Sequence, residues 1–472
     1  MHGGAGPPHG IRDRRDTTTL LKIADESLLR HAGTFDGLLV ERASGTTIWD
    51  REGNQYLDFT SGQLCATFGH NPPRLRDAIA ASFDRAVHSS SLLLSEEVIL
   101  FAERLLELLP PTLSKVTLLS TGSEATEVGL RAAKMATGRW ETIGVSRSYH
   151  GAFLPHRQGS GPGQPGVHAI PAPYCFRCPL GTTYPQCGFA CIDVGMATGD
   201  TQRTSEVAAC IIEPILSTGG MIEPPSGYLA HLREHCDERG IQLIFDEAQT
   251  GLGRTGDMFA FESSEVVPDV LALSKSLGGG FPLAAVVVTD TIAEEAERNG
   301  FRFLTSHMNE PSMAMIGLAM LSLAVDHVQR ASAATKGERF RLGLEETMGD
   351  ATIIGDVRGR GLLLGIEFVT DRASMDPAPE AATVVAEACR RRGLIVQVVS
   401  GNVWRIAPPL TVSDDEVDRA VSIIGESTTE YEHARGHHEA EPVRSTQATC
   451  GANIRCSRIR RDGPKSASDN DS

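Results

Sequence analysis

No apolar stretch of the chain is long enough to suggest a membrane span. The longest helical-looking run, Met313 to Val325, falls well short of the roughly 18 residues a span needs and reads as a buried helix. An excess of positive charge is missing too. Lys and Arg number 44 against 60 Asp and Glu, giving a formal charge of -16, so no overall basic field is available to hold nucleic acid or an anionic membrane. Any anionic cofactor or substrate must then be captured by local donors. The segment Met1 to Asp16 lacks the apolar core of a signal peptide, which makes the cytoplasm the expected location. Without such a signal, a disulfide framework is not expected in a chain of this size. No period of 20 to 50 residues repeats, which excludes solenoids and propellers.

What is present describes a globular enzyme-sized chain. Its 472 residues, 41% of them hydrophobic, suffice for a sizeable core divided into two or more substructures. Residues 20–110 begin with helical and turn signals, and Trp49 to Asp58 reads as a short hairpin with Gly53-Asn54 near its turn. Farther along, short apolar runs at Val116–Leu119, Ala208–Ile212, Ile241–Phe245, Val270–Leu273 and Ala284–Val288 alternate with helical stretches. That alternation predicts an α/β fold with a mainly parallel sheet covered by helices, in a large domain over 60–310. Residues 311–430 mix helices with the strand-like segments Leu362–Phe368 and Leu394–Val399, as expected of a smaller α+β domain to which 1–59 contributes. From 431 to 472 the chain has little apolar content and is expected to be a disordered tail.

Ten cysteines include the compact set Cys175, Cys178, Cys187 and Cys191. Two short Cys hairpins can converge on zinc or an iron-sulfur cluster; equally, these can be reduced thiols of a Pro- and Gly-punctuated loop.

Several segments place chemistry at strand ends. Leu119 to Ala125 follows a strand-like run and opens a helix with Ala125, Val128, Ala132 and Met135 on its apolar side, so backbone amides and the helix dipole can meet an anion at Gly122 and Ser123. Asp246 and Glu213 each end an apolar run, which puts both carboxylates where open α/β sheets bind ligands. A carboxylate there needs a cation or strong donors. Lys275 lies just past another such run and before Gly278-Gly279-Gly280. An amine, an acid and a phosphate cradle are the groups that pyridoxal 5'-phosphate (PLP) requires.

Taken together, Ser120-Thr-Gly-Ser-Glu-Ala125, Tyr149-His150-Gly151, Glu213-Pro214, Asp246 to Gly256, and Ser274-Lys275 resemble the class III (omega) aminotransferases of PLP fold type I, over nearly all of residues 30–425. The resemblance implies that Lys275 forms the Schiff base with PLP and later shuttles protons, while Asp246 pairs with the pyridinium nitrogen. It further implies that Thr121, Gly122 and Ser123 hold the phosphate, Tyr149 stacks on the ring beside His150, and Gln249 bonds the phenolic oxygen near Glu213. Ser306 occupies a position that in the family reaches the neighbouring subunit's phosphate, so a homodimer or dimer of dimers with shared active sites is implied. The substrates are then a small amino acid or amine and a 2-keto acid.

Within the family, Asp58 to Gln63, Gly355 to Gly365 and Trp404 to Ser413 resemble the 2,2-dialkylglycine decarboxylase branch, which couples decarboxylation to transamination of pyruvate. This closer resemblance implies that Arg405 binds a substrate carboxylate and that Gln63 orients the leaving one. Ser91, Ser306 and Glu310 align with alkali-ion ligands of that branch. Departures stand at Tyr149, at Thr218 and in the cysteine-rich loop, which keeps two alternatives open: an aminotransferase that releases no CO2, and a PLP-dependent racemase or epimerase. Retention of both Lys275 and Asp246 argues against a non-catalytic PLP-fold protein.

Overall fold

The computed structural model describes residues 15–30, 35–151 and 165–440. Among the described residues, those up to Glu432 form one compact unit, and His433–Ala440 fall outside it.

The compact unit is built on a seven-stranded sheet. From edge to edge its strands are Leu113–Leu119, Ala284–Thr289, Val270–Leu273, Gln242–Asp246, Val207–Ile212, Glu141–Val145 and Val167–Ile170. Only Ala284–Thr289 runs against its neighbours; the five strands from Val270–Leu273 to the Val167–Ile170 edge pair in parallel. The central strands are buried along their whole length because both faces are covered. Ile211, Ile244, Val270 and Ala272 pack with Ala125, Val128 and Ala133 of helix Gly122–Thr137 on one face. Cys210, Ile212, Leu243, Phe245 and Leu271 join the main core on the other. This is the helix-covered, mainly parallel α/β sheet expected from the sequence.

Two four-stranded sheets complete the unit. One joins Val40–Ser44, Thr47–Asp50 and Gln55–Asp58 to Leu394–Ile395, so distant parts of the chain meet in it. Its Trp49↔Gln55 pairing closes the expected hairpin, with Gly53 in the turn at φ +89°, a conformation glycine adopts without strain. The other sheet orders Ile354–Arg360, Leu363–Phe368, Val403–Ile406 and Gln397–Val399. The single run expected over Leu394–Val399 thus divides between two sheets. The apolar run at 313–325 lies in helix Pro311–Ala324, largely buried. No helix among the described residues is long and apolar enough to cross a membrane.

One expectation needs correction. The segment from 431 does not begin as a structureless tail, because helix Asp414–Ala440 continues through it. Residues 441–472, where the rest of that expectation falls, lie outside the described residues.

Candidate active site

The carboxyl ends of the parallel strands converge on a cavity of about 460 Å³, within the range of small-molecule sites. Lys275, Asp246, Gln249, Gln63, Tyr149, His150, Thr121, Gly122 and Ser123 all line it, so the structure gathers these widely separated residues in one place. Each arrives by local geometry. Asp246 ends the strand Gln242–Asp246, and Lys275 follows Val270–Leu273 in a short turn that holds it at φ +48°. A left-handed non-glycine residue is uncommon, and here it sits at the site's central amine.

Buried Asp246 is satisfied on both oxygens. Its Oδ1 accepts Ala248 N–H at 3.1 Å, and its Oδ2 lies 2.9 Å from His150 Nδ1. Burial pulls the Lys275 amine below the ordinary lysine pKa, against the opposing pull of the Asp246 and Glu213 charges. Glu213 is buried behind Tyr149, whose N–H donates to its Oε1 at 2.9 Å. Removal from water pushes the Glu213 carboxyl up to about 7; His150 lowers it and Asp246 adds to the rise.

The turn before helix Gly122–Thr137 is held by a reciprocal cap. Thr121 Oγ1 accepts Glu124 N–H at 3.3 Å, while Glu124 Oε2 accepts the N–H groups of Thr121 and Ser120 at 3.0 and 2.9 Å. Gly122 sits in close approach: a Cβ there would lie 3.3 Å from Ser274 Cβ, beside Lys275, and would press that side chain back by a few tenths of an ångström. Gly151, at φ +93°, lies so close to Ser123 that a Cβ would fall 2.1 Å from Ser123 Oγ. Loop and turn are thereby packed into one small-residue cradle.

Arg405 reaches the same region from strand Val403–Ile406 of the second sheet. Its guanidinium donates to Gln249 Oε1 at 2.7 Å, Thr218 Oγ1 at 3.4 Å, Gln63 Oε1 at 3.5 Å and Gln397 Oε1. Burial lowers its pKa to about 10. Gln249 also accepts Ser217 Oγ–H at 2.9 Å and donates to Thr218 and Glu213, which ties Arg405 to the Glu213 side of the cavity.

Some residues stand apart or came without warning. Ser306 is exposed and does not line this chain's cavity. Glu310 is met by His88 and His307, and neither the Ser91 nor the Ser306 hydroxyl bonds it. Among the described residues, no group of three or more metal-ligand atoms lying within 4.8 Å of one another includes Cys175, Cys178, Cys187 or Cys191. Sequence reasoning missed Cys65, which lines the cavity, and Gln397, which bonds Arg405. No local pattern marks either; only the folded proximity to Lys275 and Arg405 does.

These groups fit PLP, which brings an aldehyde, a basic pyridine nitrogen and a phosphate. The cavity offers an amine of lowered proton affinity, a buried carboxylate and a capped helix start cleared of side-chain bulk. Comparison with known proteins points the same way. The class-III aminotransferase family matches residues 30–427. An uncharacterised aminotransferase of Schizosaccharomyces pombe is 40% identical over 88% of this chain and 95% of its own. A leucine/methionine racemase of Thermococcus litoralis is 32% identical over 86% of this chain and 94% of its own. The PLP-bound structure of an amine transaminase from an uncultivated Pseudomonas species superposes with a TM-score of 0.80 and 28% identity, covering 85% of this chain and 98% of that one. The chain therefore belongs to the class-III aminotransferases, PLP-dependent enzymes of fold type I.

Proposed function

We propose that the protein transfers the amino group of an α-amino acid to a 2-keto acid such as pyruvate, with Lys275 as the attachment point for PLP. Arg405 carries this reading. Arg405 is 5% exposed, and the hydrogen-bond partners of its guanidinium among the described residues are three amides and one hydroxyl, with no carboxylate. A buried cation without an anion is costly, and a substrate α-carboxylate matches its planar fork. A bare amine would leave it unpaired.

Bound PLP supplies an electron sink that weakens the bonds at the substrate Cα. Asp246 keeps a proton on the pyridine nitrogen, and its contact with His150 fixes its orientation. Thr121, Gly122 and Ser123, at the helix start, would hold the phosphate, and Tyr149 at the cavity wall would pack against the ring. Gln249, bonded to Glu213, would donate to the phenolic oxygen of a bound cofactor. Lys275 Nζ, with its proton affinity lowered, carries a proton to and from Cα.

The working unit in this reading is a homodimer. Ser306 stands in an exposed segment with Leu304, 72% exposed, and a second copy covering that face brings Ser306 to the neighbour's phosphate turn.

One contact favours a second reading, decarboxylating transamination of a 2,2-dialkylglycine. Gln63 Oε1 lies 3.5 Å from Arg405 NH2 at the cavity wall, where an amide and a guanidinium can together hold a departing carboxylate. The deciding experiment gives purified holoenzyme a panel of α-amino acids, 2-aminoisobutyrate and unbranched amines, each with pyruvate, and measures keto acid, alanine and CO2. Keto acid and alanine without CO2 are expected from α-amino acids, with amines at least about 100-fold poorer in kcat/KM. CO2 from 2-aminoisobutyrate establishes the second reading instead. Inversion of an amino acid without pyruvate would assign racemisation, the activity named for the Thermococcus relative, and faster turnover of bare amines would sink the role given to Arg405.

A further inference from the structure

The segment leading into helix Pro311–Ala324 carries side chains that the cavity does not use. Glu310 is the N-cap of that helix and is 5% exposed. Its Oε1 faces two imidazoles, His307 Nδ1 at 2.8 Å and His88 Nδ1. Its Oε2 is buried without a hydrogen-bond donor. An unsatisfied buried carboxylate oxygen is costly, and neither imidazole reaches it. The ligand atoms of all three residues lie within 4.8 Å of one another, and the two rings stand 5.7 Å apart at 63°.

We propose that His88, His307 and Glu310 bind one divalent transition-metal ion of the zinc class. Two imidazoles and a carboxylate are a set that zinc accepts while keeping an open position. Tetrahedral bonds of about 2.0–2.1 Å place ligand atoms about 3.3 Å apart. The His307–Glu310 separation therefore has to open by about half an ångström to admit the ion. Both imidazoles can yield, because they stand on segments outside the helices and strands. Nitrogen donors also set this site apart from an alkali-ion site of hydroxyl and carboxylate oxygens.

The ion's place in the fold gives it a consequence. Asn309 is pinned to the strand before the phosphate turn, its N–H donating to Leu118 O at 3.1 Å and its Oδ1 accepting Leu118 N–H at 3.0 Å. Thr305 Oγ1 donates to Glu124 Oε1 at 3.4 Å. A metal at Glu310 thus orders the segment that holds Ser306 against the cap of the phosphate-binding helix.

A second cluster, Asp193 with His231 and His235, lacks this fitness. There Arg239 NH1 donates to His235 Nδ1 at 3.0 Å, so the ring's proton sits on Nε2, the atom an ion would need. It serves as a control.

The test uses full-length holoenzyme treated with a chelator and then titrated with Zn2+, with Co2+ as a spectroscopic probe and K+ as a competitor. Metal content is measured by mass spectrometry after gel filtration for the wild type, His88→Ala, His307→Ala, Glu310→Gln and His231→Ala, with PLP absorbance reporting that each variant folds. The expected result is one ion per chain that raises the thermal midpoint, with affinity at least ten-fold weaker in each of the first three variants and unchanged in His231→Ala. No stoichiometric Zn2+ in the wild type overturns the proposal. So does zinc retained in both His88→Ala and His307→Ala, as a site on the cysteine loop would give, loss only in His231→Ala, or displacement of Zn2+ by K+.

Discussion

Glu213 shows how a single buried group ties the cavity to pH. Its carboxyl is held at about 7 by burial, whereas an ordinary glutamate titrates near 4.5. The native apoprotein therefore keeps a proton between these values that the unfolded chain releases. The stabilisation is full below about pH 4.5 and is lost as pH rises through 7, a total of roughly 3 kcal/mol. Glu213→Gln stays neutral throughout and cannot show this loss. Urea denaturation of the two apoproteins is expected to show the wild type losing that amount relative to the variant between pH 4.5 and 7. A difference that stays flat over the window would mean that Glu213 is ionised in the fold. At this scale the sequence marked Lys275, Asp246 and Glu213, because each ends or follows an apolar run and strand ends are where α/β sheets place ligands. It was silent on Cys65, Ser217 and Gln397, which matter only through contacts across the fold. The bonds of Gln249 to Arg405, Thr218 and Ser217 are likewise tertiary.

Among the elements, helix Gly122–Thr137 links the core to the cavity, since it packs on the sheet along one side and presents its first turn to the site. The Thr121–Glu124 cap fixes that first turn. Thr121→Ala removes the acceptor for Glu124 N–H and is expected to cost about 1 kcal/mol of stability, and also to release PLP faster because the turn loosens. Thr121→Ser, which keeps the hydroxyl, is expected to restore both thermal midpoint and PLP retention. A variant that loses stability but holds PLP as tightly as wild type would separate the cap from the phosphate site. This helix was legible from spacing alone, whereas its Thr121–Glu124 cap and other elements were hidden. The strand Glu141–Val145 is fully buried but begins with Glu and Thr and contains Gly144, so it lacks the apolar run that revealed its neighbours. Its Glu141 is matched by His168 and by the N–H groups of Thr204 and Ser205, partners from other parts of the chain. Leu394–Val399 reads as one strand, yet its two halves pair with Leu57-Asp58 and with Val403–Arg405. Hydropathy carries no information on that division.

For the whole molecule, exposed leucines on two segments matter because those segments are joined through Glu310. Leu92, Leu93 and Leu94 are 82%, 66% and 81% exposed, and Leu304 is 72% exposed. Their segments meet where His88 and His307 share Glu310. Exposed leucines on two joined segments fit an interaction surface, and a stable pair of subunits typically buries about 1,200–2,000 Å² in total. If a second copy covers it, Leu93→Glu places a charge in the covered surface, where it must be desolvated without a partner. Sedimentation is then expected to show a concentration-dependent shift from dimer to monomer in Leu93→Glu. If Ser306 serves the neighbouring phosphate turn as proposed, the monomeric fraction is expected to release PLP faster. The surface variant Leu342→Glu, altering a half-exposed leucine on helix His327–Asp350, controls for the added charge and is expected to remain dimeric. Leu93→Glu that sediments like wild type would place the subunit contact elsewhere. If it became monomeric yet held PLP as tightly as wild type, the active site would be complete within one chain and Ser306 would have no part in it.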